Sequence, residues 1–176
     1  MLKKSKQIKE FMVFSTLFLG LIMTNFSLTS PHFKEQGLIP KEYTCIGLDG
    51  SPELKWEKPP ENTKSFALSI IDPDAPSGNF THWIIYNIPA ATRHLLPGIT
   101  NSTTLPDGSF QGLNDFGFIG YGGPCPPKDQ KHSYIFTLYA LDSTLSLQAS
   151  ISYSELQKSM KGHILGEAKL TGFFEK

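Results

Sequence analysis

Three apolar runs, each cut short by an acid or a proline, constrain this chain more than any other feature. Residues 65–71 (SFALSII) stop at Asp72-Pro73, residues 82–88 (HWIIYNI) at Pro89, and residues 133–141 (SYIFTLYAL) at Asp142. All three are rich in β-branched and aromatic residues, and none sustains a 3.6-residue period, so each reads as a buried strand. Around them the chain is turn-dense, with 13 Pro and 15 Gly in 176 residues, which favours short extended pieces over helices. One helix is expected. Ser152 and Glu155 have capping-box spacing, Leu156, Met160 and Ile164 recur at every fourth residue, and Gly162 and Gly166 offer stops. A last strand is expected over 167–174, and residues 89–118 read as a long loop over one sheet edge. The expected class is mainly β: an antiparallel two-sheet β-sandwich with a small helix near the C-terminus.

The N-terminus reads as a targeting segment. Lys3, Lys4, Lys6 and Lys9 precede an apolar stretch at 11–23 (FMVFSTLFLGLIM), which is shorter than the roughly 20 residues of a spanning helix. Small residues at Ser27, Thr29 and Ser30 then offer a cleavage region. Residues 1–30 are therefore expected to be an export signal, with an uncleaved membrane anchor as the alternative, and 31–176 a single domain in the periplasm or outside the cell. Removing 1–30 takes four Lys and one Glu from totals of 16 basic and 16 acidic residues, leaving 12 and 15. That balance excludes a chain built around nucleic-acid electrostatics. Arg93 is the only arginine, so bidentate guanidinium recognition of an anion is nearly excluded. Cys45 and Cys125 are the only cysteines. In an oxidising compartment they admit one disulfide, and two buried thiols are the other reading.

Chemistry-bearing residues gather where expected strands meet loops. Asp72-Pro73-Asp74-Ala75-Pro76 is a stiff acidic turn, whose plain reading is Asp side chains capping their own backbone. Phe80-Thr81-His82-Trp83 puts a histidine at a strand mouth, where a satisfied core histidine is the plain reading. Gly120-Tyr121-Gly122-Gly123-Pro124-Cys125-Pro126-Pro127 precedes His132-Ser133-Tyr134. Its glycines would let successive amides point one way and cradle an anion.

The order DPDAP, HW, GYGGPCPP, HxY resembles the phosphatidylethanolamine-binding protein family, in particular its bacterial Raf-kinase-inhibitor-like branch. Ile39-Pro40, Tyr43-Thr44-Cys45, Ser51-Pro52, Leu54-Lys55-Trp56 and the stretch 168–174 extend the resemblance over essentially everything after residue 32. It implies a small pocket at one end of a two-sheet fold, taking phosphate- or carboxylate-like anions, the phosphatidylethanolamine headgroup included. By motif position the lining would be Asp72, Ala75, Pro76, Phe80 and His82, with Phe80 standing where many relatives have Trp. Gly122, Gly123, Cys125, Pro126 and Pro127 would form a second wall, and His132 and Tyr134 would complete it. The helix that closes animal relatives is not expected after Phe174. The resemblance also implies homodimers, as in bacterial relatives, and a non-enzymatic binding role.

Without arginine, an anion would be held by glycine-loop amides, the Tyr134 hydroxyl and the imidazoles of His82 and His132, with binding that strengthens below about pH 6.5. Asp72 would orient a histidine or receive an ammonium group. Two enzyme readings stand beside this one: Asp72, His82 and His132 as a two-His-one-carboxylate metal site, and a Ser–His–Asp hydrolase. Nothing in the spacing selects for a metal or cofactor, and no G-x-S-x-G elbow exists for a hydrolase. Relatives also suggest a protein-interaction module that inhibits a protease or kinase through its rigid Gly/Pro loop.

Overall fold

Residues 25–176 are described by a computed structural model of the chain. In chain order the elements are β1 (Ser27–Thr29), β2 (Gly37–Leu38), β3 (Leu54–Glu57), β4 (Ser65–Asp72) and β5 (Phe80–Pro89). They continue with β6 (His94–Leu95), β7 (Phe110–Gln111), β8 (Lys131–Leu141), α1 (Tyr153–Met160) and β9 (Ile164–Glu175). A three-stranded sheet in the order β1-β3-β6 faces a six-stranded sheet in the order β2-β9-β8-β4-β5-β7. Pairing is antiparallel throughout, apart from the two-residue parallel contact of β2 with β9.

The chain forms three layers. Leu28, Leu54 and Trp56 from the small sheet pack with Phe66, Leu68, Ile70, Phe136 and Leu138 from the large one. On the other face of the large sheet, Ala67, Ile84, Tyr86 and Leu141 pack under Leu156 and Met160 of α1. Strand β4 is thus covered on both sides and buried at every position except Ile71, which is why its sequence is continuously apolar rather than alternating.

Helix α1 carries the capping box: the Ser152 hydroxyl accepts from the Glu155 N–H, and the Glu155 carboxylate accepts from the Ser152 N–H at 2.8 Å. The every-fourth apolar pattern overruns the helix by one step. The chain turns at Lys161 and Gly162, the latter at φ +85°, and Ile164 opens β9 instead. The stretch 89–118 holds β6 and β7 and is pinned by the buried Gln111. Its amide donates to the carbonyls of Thr100 and Ser102 at 2.8 and 2.7 Å and accepts from the Trp83 indole at 2.6 Å.

The folded body takes in residues that the sequence assigns to the export signal. Strand β1 pairs Ser27, Leu28 and Thr29 with Glu57, Trp56 and Lys55. Leu28 is buried, and Phe26 packs on Phe66 with ring centroids 6.2 Å apart. A three-residue strand has no periodicity of its own, and its partners lie 26 to 30 residues on, so Ser-Leu-Thr looks locally like a cleavage tail. The apolar stretch 11–23 lies outside the described residues. Among those described, no helix is long and apolar enough to cross a membrane.

A chain beginning at Asn25 and one beginning at Pro31 should therefore differ. Losing Leu28, Phe26 and the β1 ladder is expected to lower unfolding free energy by about 3 kcal/mol or more, read by urea denaturation. Equal stability would show that β1 contributes nothing.

Candidate functional site

The antiparallel order β8-β4-β5 brings the end of one strand and the starts of two others to the same end of the large sheet. Asp72 closes β4 opposite Phe80, Ile71 lies opposite Ile135, and Tyr134 and His132 come just before Ile135 on β8. A cavity of about 470 Å³ opens there. Of the residues named from the sequence, Asp72, Ala75, Pro76, Phe80 and His82 line it from one side. Cys125, Pro126, Pro127 and His132 line it from the other, joined by Ser77, Phe116 and Lys176. Gly122, Gly123 and Tyr134 stand behind the lining.

His82 owes its position to a β-bulge. Ile70 pairs with Trp83 and Ile71 with Thr81, so His82 is an extra residue with no partner on β4, the device by which a sheet re-aims a side chain. The bulge is held by Gly122, whose N–H donates to the His82 carbonyl at 3.0 Å. The Gly122 carbonyl in turn accepts from His82 Nδ1 at 2.7 Å. The ring lies edge-on to Phe116 and Tyr134, with centroids 5.2 and 5.1 Å away, and tilted against Phe80 at 5.2 Å. His82 is 2% exposed. Burial pushes its pKa below the usual histidine value, outweighing the Gly122 hydrogen bond and the Asp72 charge that act the other way.

Asp72, 3% exposed, satisfies both readings of its cluster at once. One carboxylate oxygen caps its own turn, accepting from the Asp74 N–H at 2.8 Å. The other accepts from His132 Nδ1 at 2.7 Å. Asp74 accepts from the backbone and hydroxyl of Ser133 at 2.7 and 2.6 Å, which holds its carboxyl below the usual range. Ser133 is thereby committed away from His132, contrary to a hydrolase arrangement. Burial, then the Asp72 charge, raise the Tyr134 phenol well above its ordinary value. Its hydroxyl has no hydrogen-bond partner among the described residues and lies against the Asp72 carboxylate and the Cys125 backbone, two groups that line the cavity.

The glycine loop is not an amide cradle. The Gly122 N–H is committed to His82, and the Gly123 N–H donates to the Asp49 carboxylate at 2.7 Å. Neither glycine needs a positive φ. A Cβ at Gly122 would meet the Phe116 ring at 2.6 Å, and one at Gly123 the Tyr43 carbonyl at 2.6 Å, so close packing selects them. Over residues 120–127 the Cys125 N–H alone is not given to a carbonyl or a side-chain carbonyl or carboxylate oxygen among the described residues, and it lies toward the Tyr134 hydroxyl. Cys125 is bonded to Cys45, with Cα atoms 5.4 Å apart, and Lys176 Nζ stands 3.8 Å from its sulfur. Phe116 is placed by the Asn114 side chain, which accepts from the N–H groups of Phe116 and Phe118. Neither Phe116 nor Lys176 carries a local sequence signal, because tertiary placement alone brings them to the cavity. No three His, Cys, Asp or Glu side chains gather as metal ligands among the described residues.

A sequence model described as phosphatidylethanolamine-binding protein matches residues 29–175. The chain belongs to the phosphatidylethanolamine-binding protein family. Among its relatives, a UPF0098 protein of Methanothermobacter thermautotrophicus is 47% identical over 150 residues, covering 85% of this chain and 99% of the relative. One from Aquifex aeolicus is 45% identical over 159 residues, covering 89% and 91%. Two solved family structures share the architecture. Escherichia coli YbcL, described as a member of the mammalian family, superposes with a TM-score of 0.80 at 35% identity, covering 86% of this chain and 98% of its own. The Chlamydia trachomatis homolog CT736 superposes with a TM-score of 0.79 at 40% identity, covering 86% and 97%.

Two outcomes follow for this family member. Unfolded His82 takes a proton near pH 6.5, while the folded form resists it to lower pH. The unfolded state therefore binds more protons in that window, and stability falls as pH drops through it. His82→Gln should lose less stability than the parent between pH 7.5 and pH 5, by up to about 1.4 kcal/mol per pH unit, measured by urea unfolding. Identical acid limbs would show that His82 titrates alike folded and unfolded. The disulfide spans 80 residues of sequence, and its removal in the Cys45→Ser/Cys125→Ser variant should cost about 2–4 kcal/mol in the same assay.

Proposed function

We propose that the cavity is a binding site, without catalysis, for small ligands bearing phosphate or carboxylate groups, phosphoethanolamine among them. The observation that supports this best is the convergence of His82, His132 and the Cys125 N–H on one cavity with no guanidinium nearby. Cys125 N–H donates to an oxygen of the ligand, and His132 is aimed by Asp72. Lys176 supplies a cation beside the disulfide, and the unpartnered Tyr134 hydroxyl is a further donor next to the lining.

We further propose export to an oxidising compartment. The basic, apolar N-terminus supports it, and so does a disulfide that forms part of the cavity wall. The alternative, a rigid loop that docks into a protease, is less favoured, because residues 121–124 and Pro126 are buried and present little to a partner.

Titrating phosphoethanolamine into the protein and following the imidazole signals by NMR tests the site. Shifts at His82 and His132 are expected at pH 7.0 and at pH 5.5, with tighter binding at the lower value. Silence at both histidines under both conditions would reject the reading.

A further inference from the structure

Resting on the anion-pocket reading above, we infer that His82 selects the proton carried by the ligand: the cavity takes phosphomonoesters as monoanions and discriminates against phosphodiesters. The Gly122 carbonyl can only accept a hydrogen bond. At 2.7 Å from His82 Nδ1 it requires the proton on that nitrogen, and the carbonyl cannot turn away. The same residue donates to the His82 backbone, and the Phe116 ring stands where a side chain on it would have to go. The neutral ring is thereby fixed as one tautomer, with a lone pair on Nε2.

Nε2 makes no hydrogen bond among the described residues, and His82 lines the cavity. Offering an N–H there would require an imidazolium packed against Phe80, Phe116 and Tyr134. The Gly122 and Gly123 carbonyls and the carboxylates of Asp72 and Asp115 favour that charge, but burial outweighs them, and Asp72 is already hydrogen-bonded to His132. Nε2 therefore accepts.

A phosphodiester anion and a phosphate dianion present only acceptor oxygens, so either would set an acceptor against Nε2. A monoester monoanion brings a P–O–H that donates to Nε2 and keeps two oxygens for donors such as the Cys125 N–H. Its second pKa lies near 6, so the required proton is available close to neutrality. The phosphate of a phospholipid headgroup joined at both ends is a diester, and terminal phosphate groups are accordingly the favoured ligand class.

Methyl phosphate and dimethyl phosphate test this without an amine to supply a competing proton. With the disulfide-intact protein followed by NMR, methyl phosphate at pH 6.0 should bind about tenfold or more tightly than dimethyl phosphate. It should weaken about fifty-fold by pH 8.0 as the monoanion is lost. The Nε2 resonance of His82 should remain that of an unprotonated, hydrogen-bonded nitrogen in the complex. Equal affinity for the two esters, or an Nε2 signal that becomes protonated on binding, would overturn the inference while leaving the anion site standing. Binding of neither ester would overturn both. His82→Gln, whose amide can turn a donor to the ligand, should bring the two esters within about threefold. Persistence of the full preference in that variant, folded by its spectrum, would show that another group reads the proton.

Discussion

Gly122 and His82 exchange two hydrogen bonds, one backbone to backbone and one from ring to carbonyl, and most of the site depends on that exchange. The backbone bond holds the extra residue of the β5 bulge in place, so the histidine leaves the regular alternation of the strand. The ring bond sets which nitrogen carries the proton. Because the same glycine has room for no side chain against Phe116, it also brings the 120s loop close enough for Cys125 and the prolines to form the opposite wall. Loosening this contact would release the tautomer, the wall and the bulge together.

The Asp72–His132 pair poses a different energetic question. Two ionisable side chains, each about 5% exposed, pay a desolvation penalty that attraction offsets only when the remaining lone pairs are satisfied. Asp72 meets that condition: one oxygen is capped by the Asp74 N–H and the other by the imidazole. The pair is thus better understood as a positioning device than as a source of stability. It aims His132 without an arginine, and this chain has no arginine anywhere near the cavity. Among the described residues the lysine that lines the cavity is Lys176, a flexible point charge rather than a planar fork, which would suit the proposed range of anion shapes.

Much of this was legible in the sequence, for identifiable reasons. Strands β4, β5 and β8 announce themselves because burial on both faces leaves continuous apolar runs, and α1 because its cap and its Leu156 and Met160 contacts are local. The chemistry clusters were readable because they sit at the ends of those same strands. What escaped reading depends on partners distant in sequence. Strand β1 is a strand only because β3 lies beside it. The direction of the Gly122 and Gly123 amides is set by His82 and Asp49 rather than by glycine itself, so a loop with the composition of an anion cradle turned out to be packing. Phe116 reaches the cavity through the Asn114 side chain, and no spacing rule encodes that.

The layering explains why the cavity end needs so many polar fasteners. Helix α1 covers the large sheet over Ala67, Ile84, Tyr86 and Leu141, which is the end remote from Asp72, and apolar burial there can hold the strands in register. Toward Asp72 the helix no longer covers the sheet. Rigidity there has to come from directional contacts: Asp74 gripping the Ser133 backbone and hydroxyl, Asp72 gripping His132, Gly122 clasping His82, and the Cys45–Cys125 bond closing the rim. Directional contacts leave space between them, whereas close-packed side chains do not. A cavity walled by rings and prolines, with a few polar atoms held in fixed orientations, is the physical result of giving one end of the sheet to hydrophobic packing and the other to hydrogen bonds.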